Sequence, residues 1–579
     1  MKYSTANTAD SSAKIVMDAD DGDTEDEISL DLILVQIGQF GKFQIIVFLL
    51  ICLPMMFNAI FSVTYVFTAS SVVHRCNIPH CDDADSGYHE PWTSFSIPMK
   101  GSNLEQCKRY VSVSNPNTTT TTSLMHREAD NFEESFPCSA GNFNQNKVES
   151  CPTDNLVFRD KETTISNDFK IFCSDEWKLS LVGTLNNIGQ FIGIPIGGVI
   201  SDRYGRRTAL AVGGFAAAIF GTIRSFATSY PFFMAFEFLD SVAASPLYSV
   251  CFILGIELVG PNRRVLACGL VTIFYAVGEM FLALAAKYLQ NWRILLRVLY
   301  APAYGLFLYF WILPESVRWL LSQRREEEAK NVLKRAATVN NRKISDGALD
   351  KLIFENREKL KNSAESKFPI KLAFTTLFWR IANCSFCWIV NVLVYFGLSL
   401  NAVLLDGDKY NNFIYIALVE IPGFLLPLVI MDRYGRRYSM FGTMLISGLC
   451  CLATIFLPHE AALGQLILFL IGKLSITCSF QVLYFFTSEI FPTNLRNSLL
   501  SFCSMVGRFG SMLAPQTPLL ANYYDGAPAL LFATTAIVSA CLSLLFPETT
   551  NLVLPATMED AEHIGKAKEK EVNAQNTHL

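Results

Sequence analysis

The chain has 579 residues, of which 51% are hydrophobic and 17% charged, and its formal net charge is −5 at pH 7. That is a membrane protein's balance, not that of a soluble enzyme or a nucleic-acid-binding domain. The net charge itself says little, because the acidic excess includes the N-terminal tail (Asp18, Asp20, Asp21, Asp23, Glu25, Asp26 and Glu27).

Residues 1–43 form this tail, and its first 28 residues hold neither an apolar run nor a basic n-region. No cleavable signal is expected, so the first span directs insertion. A bilayer core takes roughly 20 apolar residues per helix. Windows of that length predict twelve spans, near 44–70, 180–200, 208–229, 231–256, 265–287, 294–313, 379–402, 411–431, 438–457, 462–488, 497–521 and 526–546. The expected fold is an all-α membrane protein with two six-helix halves, 44–313 and 379–546. A central cytoplasmic loop (314–378) joins them, and a C-terminal tail (547–579) follows.

Between spans one and two, a polar stretch over about 71–178 holds Cys76, Cys81, Cys107, Cys138, Cys151 and Cys173. Six cysteines outside the cell allow up to three disulfides, with all fifteen pairings open. Asn117-Thr118-Thr119 makes Asn117 the glycan candidate, whereas Asn383-Cys384-Ser385 lies inside a span, out of the glycosylation machinery's reach. The central loop is densely charged, and the spacing of Leu320, Leu321, Ala329, Val332 and Leu333 predicts amphipathic helices. Arg203, Arg206, Arg207, Arg263, Arg264, Arg433, Arg436, Arg437 and Arg496 all fall in even-to-odd connections, which makes that side and both termini cytoplasmic. Lys287 and Arg293 run against this rule.

The chain also repeats itself. Asp-Arg-Tyr-Gly-Arg-Arg occurs at Asp202 to Arg207 and again at Asp432 to Arg437. Pro314-Glu315 recurs as Pro547-Glu548, and Glu257, Pro261 and Arg264 recur as Glu489, Pro492 and Arg496. Two copies of one unit are expected. A short arginine-rich loop beside an acid can pin helix ends by charge-assisted hydrogen bonds. The predicted latch therefore joins Arg203, Arg206, Arg207, Arg433, Arg436 and Arg437 to Asp202, Asp432, Glu257, Glu489, Glu315 and Glu548; the plainer alternative is that the arginines merely set topology.

These repeated loops and the long central loop resemble the major facilitator superfamily. Phe172-Cys173-Ser174-Asp175-Glu176-Trp177-Lys178, Pro314-Glu315-Ser316-Val317-Arg318-Trp319 and Glu489-Ile490-Phe491-Pro492-Thr493-Asn494-Leu495-Arg496-Asn497 resemble its organic ion transporters, solute carrier family 22. The resemblance implies cation, carnitine or organic anion transport by alternating access at the plasma membrane, with substrate held near the midplane.

Charges inside spans are functional candidates. Arg508 matches the position where the family's cation carriers usually have aspartate and its anion and carnitine carriers arginine. An arginine there can bind a carboxylate in bidentate fashion or form a structural salt bridge. Glu237, Asp240, Glu279 and Glu420 are embedded acids that favour ammonium groups, unless they are protonated or paired to Arg224, Lys473 or Arg508. Glu237 departs from the family, where arginine is usual. Trp388, Tyr395 and Tyr484 are candidate cation–π faces, and Asn58 and Gln481 add hydrogen-bonding groups.

No catalytic signature and no metal-ligand pattern is present, so an enzyme is not expected. Without a Walker loop, the driving force is a gradient of substrate, sodium, protons or an exchanged organic ion. The implied partners are the lipid bilayer and a small organic ion: a cation or zwitterion (carnitine-like compounds, amino-acid-derived amines, β-amino acids), or else an organic anion anchored on Arg508. A membrane receptor that keeps the fold without transport is the rival from another class. Nothing in the sequence sets an oligomeric state.

Overall fold

The computed structural model describes residues 30–38, 40–79, 81–83, 85–100, 103–112, 138–152, 155–260, 264–362, 376–405, 407–458, 461–492 and 496–550. Every predicted span falls on helix. In chain order these are Lys42–Thr68, Cys173–Tyr204, Arg206–Arg224, Tyr230–Leu258, Gly269–Leu289, Trp292–Ile312, Leu377–Leu404, the pair Lys409–Leu425 and Pro427–Tyr434, Arg436–Phe456, Ala462–Ile490, Arg496–Leu513 and Ala527–Ser543. They are called spans one to twelve below. Among the described residues eight are long and apolar enough to cross a bilayer, and the pair, bent by 41°, makes a ninth. Pro427 stands just after that break, where a missing N–H costs the helix a backbone bond. The other three are the shorter helices of spans three, eleven and twelve, of 19, 18 and 17 residues.

Helix packing reproduces the sequence repeat. Span one lies on five as seven lies on eleven, two on four as eight on ten, three on four as nine on ten, and three on six as nine on twelve. The halves meet along two seams, five against eight and two against eleven, which exchange under the same shift of six. Glycines bring span two close to span four. A Cβ on Gly193 would stand 2.3 Å from the Val242 carbonyl oxygen, and one on Gly197 2.0 Å from Pro246.

The loop after span one folds on its own small core of Cys76, Ile78, Tyr88, Ile97, Leu104 and Cys151. Antiparallel pairs join His74–Cys76 to Leu156–Phe158 and Lys108–Ser112 to Phe143–Ser150. The disulfides are Cys76–Cys151, Cys81–Cys138 and Cys107–Cys173, one of the fifteen pairings the sequence left open. Asn117 lies outside the described residues. Arg75 is fully buried in this loop and grips Asp82 through two 2.7 Å bonds, while donating to the carbonyls of Cys76, Gly87 and Tyr88. Burial pushes the Asp82 carboxyl up, but Arg75, the Ile78 amide and Trp92 outweigh it and hold it below its usual range.

On the opposite side, Val317–Ser322, Glu326–Val339 and Asp346–Asn362 are the helices expected in the central loop. They bury Leu320, Leu321, Ala329 and Leu333 against protein. Asn340 fixes them to span one, accepting from the Phe43 amide at 2.8 Å and donating to Gln44 at 2.8 Å.

Breaking a buried ion pair leaves an uncompensated charge, at a cost of about 3–5 kcal/mol. Arg75→Ala should therefore lower the thermal midpoint of the purified protein and reduce its delivery to the cell surface; an unchanged midpoint would show that Asp82 is satisfied without Arg75.

Candidate functional site

The two repeated loops share one geometry. Gly205 and Gly435 have φ of +101° and +82°, a conformation that favours glycine. Each turn frees the amides at the start of the next helix, and one carboxylate caps them. Glu315 accepts from the amides of Arg206 (2.9 Å) and Arg207 (3.2 Å); Glu548 accepts from those of Arg436 (2.9 Å) and Arg437 (3.1 Å). A Cβ on either glycine would clash with its capping glutamate, at 2.2 Å and 2.7 Å. The expectation that all six arginines pair through their side chains needs correction. Among the described residues, Arg206 alone of the first copy reaches acids, Asp202 at 3.0 Å and Glu257 at 3.5 Å. In the second copy Arg436 alone does, meeting Glu489 at 3.1 Å and Asp432 at 3.9 Å. Arg203 and Arg437 lie over the neighbouring rings of Tyr204 and Tyr438, Arg433 is exposed, and the Nε of Arg207 is buried without a partner. The sequence pattern marks the right acids but not that two of them act on backbone.

Several side-chain contacts between halves cluster toward the disulfide loop. Asp408 caps span eight, accepting from Tyr410 at 3.0 Å, and also meets Lys287 of span five at 2.8 Å. Its neighbour Lys409 meets Glu162 of the loop at 2.5 Å. Thr184 of span two accepts from Gln516 beyond span eleven at 2.7 Å, and Phe67 stacks on Tyr410. Lys287 and Arg293, the two exceptions to the charge rule, thus each have an acid on this side, Arg293 meeting Asp168 at 3.0 Å. Those exceptions were the available signal for the Lys287–Asp408 contact.

Within the first half, Glu237 and Asp240 of span four are fully buried and share Arg224 of span three, itself fully buried. Tyr300 of span six accepts from Arg224 at 3.0 Å and donates to Asp240. From Glu237 a hydrogen-bonded chain crosses the seam: Asn186 donates to Glu237 at 2.8 Å, Gln190 to Asn186 at 2.8 Å, and Arg508 of span eleven to Gln190 at 3.3 Å. Among the described residues no carboxylate lies within ion-pair distance of Arg508. Sequence reasoning missed Asn186, Gln190 and Tyr300; the amide side chains inside apolar span two were the usable signal.

In the second half, Lys473 of span ten meets Glu420 of span eight at 2.8 Å and donates to Ser399 (2.7 Å) and to the Tyr395 carbonyl (3.0 Å). The Tyr395 hydroxyl donates to Glu420 at 2.8 Å, and its ring lies 3.4 Å from the ammonium. From Tyr395 a run of rings passes through Phe480 to Tyr484, which meets Trp388 edge-on at 4.6 Å and lies near Arg508. Trp388 is tied to Thr487 at 3.1 Å. Glu279 of span five joins this cluster across the seam, facing Glu420 and Lys473, so it stands apart from Glu237. Asn58 is buried one turn before Ser62, whose hydroxyl meets Tyr275 at 3.1 Å; Gln481 is half-buried beside Phe480.

The two capping glutamates differ. Burial pushes the Glu315 carboxyl above the usual range, against the amides of Ser316, Arg207 and Arg206. At Glu548 burial also pushes up, but Thr550 and the amides of Arg436 and Arg437 outweigh it and hold the carboxyl low. A lowered group stabilises at neutral pH and loses that contribution as pH falls through its folded value; a raised one contributes below its unfolded value and loses it as pH rises. Glu548→Gln should thus cost about 1.5–3 kcal/mol at neutral pH and flatten the acid limb of thermal stability, and Glu315→Gln should cost less. Equal losses in melting experiments would contradict this asymmetry.

The model of the sugar (and other) transporter family matches residues 125–561. The organic cation transporter protein of Drosophila melanogaster is 30% identical over 93% of this chain and 95% of its own length. Solute carrier family 22 member 1 of Bos taurus is 32% identical over 94% and 95%. Organic cation/carnitine transporter 2 of Mus musculus is 28% identical over 93% and 95%. Among solved structures, the xylose transporter XylE of E. coli in a partially occluded inward-open conformation superposes with a TM-score of 0.54 at 16% identity, covering 65% of this chain and 89% of its own. That likeness shows the major facilitator fold. With a family model spanning most of its length and relatives aligned over more than nine tenths of it, the chain belongs to solute carrier family 22 of the major facilitator superfamily.

Proposed function

We propose that this protein carries small organic cations or zwitterions, such as carnitine-like compounds, amino-acid-derived amines and β-amino acids, across the plasma membrane by alternating access, with both termini in the cytoplasm. The observation that carries the reading is the partition of buried charge, an arginine at the seam and an excess acid inside the first half. Arg508 has no carboxylate partner among the described residues, while Glu237 and Asp240 share a single arginine. A substrate carboxylate suits the guanidinium in bidentate fashion. Its ammonium suits the net negative field of the buried acids and the faces of Trp388 and Tyr484, at about 0.5–2 kcal/mol per ring, whereas the Tyr395 ring already faces the Lys473 ammonium. Asn58 and Gln481 are proposed as flanking polar contacts. Relatives named as cation and cation/carnitine transporters support the same class. An organic anion anchored on Arg508 is the second reading, favoured by the same unpaired guanidinium.

Alternating access needs contacts that break on each side in turn. Lys287–Asp408 with Lys409–Glu162, which cross between the halves, are proposed as the outer latch; the capped loops with Arg206 and Arg436 join helices within one half each and are proposed to brace the cytoplasmic helix ends that gate that side.

Uptake of labelled tetraethylammonium, carnitine and benzoate by expressing cells tests the class. Saturable uptake of the first two is expected; benzoate alone would move the assignment to anions, and uptake of none would sink the carrier. Arg508→Asp should weaken carnitine about tenfold or more relative to tetraethylammonium, the loss of a charge-assisted bond of about 1.5–3 kcal/mol; equal loss for both would make Arg508 structural.

For the outer latch, Lys287→Asp should favour the outward-open state, read as increased labelling of a cysteine placed on the seam. Adding Asp408→Lys should restore wild-type labelling. Failure of the double reversal to restore it would contradict the pairing.

A further inference from the structure

Glu279 lies within span five, 1% exposed, and neither of its carboxylate oxygens has a hydrogen-bond partner. A lysine ammonium has three protons to give. Lys473 donates to Ser399 and the Tyr395 carbonyl and is ion-paired with Glu420 at 2.8 Å, and none of its hydrogen bonds reaches Glu279. The Tyr395 hydroxyl is likewise committed to Glu420 and the Tyr275 hydroxyl is in contact with Ser62. Among the described residues, the other helices packed on span five bring no cation to this point. Span one contributes Tyr65, span four contributes Tyr248 beside Tyr275, and span six directs Arg293 and Arg297 to Asp168 and Ser225. Two carboxyl groups and one ammonium therefore occupy a buried site. An ionised, unpaired carboxylate there would cost several kcal/mol, and adjacent acids that cannot both ionise share a proton.

We propose that Glu279 and Glu420 together hold one exchangeable proton, carried on Glu279, and that this proton is exchanged for the positive group of the substrate. The assignment rests on the carrier function proposed above and supplies its coupling ion. In the empty carrier, the carboxylic O–H of Glu279 donates toward Glu420. When the ammonium of a substrate enters, its charge replaces the proton's; the O–H bond breaks, the bonding pair stays on the Glu279 carboxylate, and the proton leaves to water on the open side. The return step reverses this. One proton moves outward for each cation moved inward.

Proteoliposomes containing the full chain and a trapped pH dye test this. Acidifying the lumen by one unit at constant external pH should raise initial tetraethylammonium uptake, up to about tenfold for one proton per substrate, and adding tetraethylammonium should make the lumen more alkaline. Glu279→Gln should abolish both responses, leaving whatever uptake persists indifferent to pH. Saturable uptake by the wild type with no proton movement would overturn the proton assignment and leave the carrier standing; dependence on sodium instead would do the same. A readout that needs no transport guards against an inactive variant or a failed carrier reading. Infrared difference spectra at neutral pH should show a protonated carboxyl band, shifted in heavy water and missing in Glu279→Gln. Persistence of the full band in that variant would place the proton elsewhere and overturn the assignment.

Discussion

A charge surrounded by hydrocarbon must find its counter-charge inside the protein, and the arrangement of this transporter follows from that requirement. Arg224 answers Glu237 and Asp240, and Lys473 answers Glu420. Each of these pairs joins helices of one half and has its hydrogen bonds completed by a tyrosine, Tyr300 or Tyr395. They hold the halves as units. What they leave over stands at the two seams: Arg508 on the line between spans two and eleven, Glu279 on the line between five and eight. Charges committed within a half build the scaffold, and charges left at a seam are the ones a substrate or coupling ion can use.

The same division accounts for the repeated loops. Glu315 and Glu548 act as helix caps, through backbone amides released by a left-handed glycine. Such caps tie the end of the sixth span of each half to the start of its third, so they stabilise a half rather than bind the halves together. The Lys287–Asp408 and Lys409–Glu162 pairs do cross between halves. They are part-exposed, and exposed pairs are worth about 1 kcal/mol or less. That is a suitable strength for contacts that form and break in every cycle.

Much of the fold was legible in the sequence because hydropathy at bilayer length and a six-residue identity are local signals. All twelve windows fell on helix, and the repeat reappeared as a packing rule. Disulfide pairing was not legible, since it depends on how Lys108–Ser112 and Phe143–Ser150 come together across the loop. Nor could sequence separate Glu237 from Glu279. Both are acids in apolar spans, and only the placement of Arg224 against Glu237, and of Lys473 against Glu420 rather than Glu279, distinguishes a neutralised acid from an unsatisfied one. The six arginines of the repeats also look equivalent in sequence, while helix geometry lets Arg206 and Arg436 alone reach acids among the described residues.

The central claim is that two rigid halves expose one site alternately. Counterflow tests it most directly: purified protein in vesicles preloaded with unlabelled carnitine should accumulate labelled carnitine transiently above equilibrium, because a loaded site returns and exchanges. Simple equilibration without any overshoot, accompanied by a conductance, would mean an open pathway and contradict alternating access.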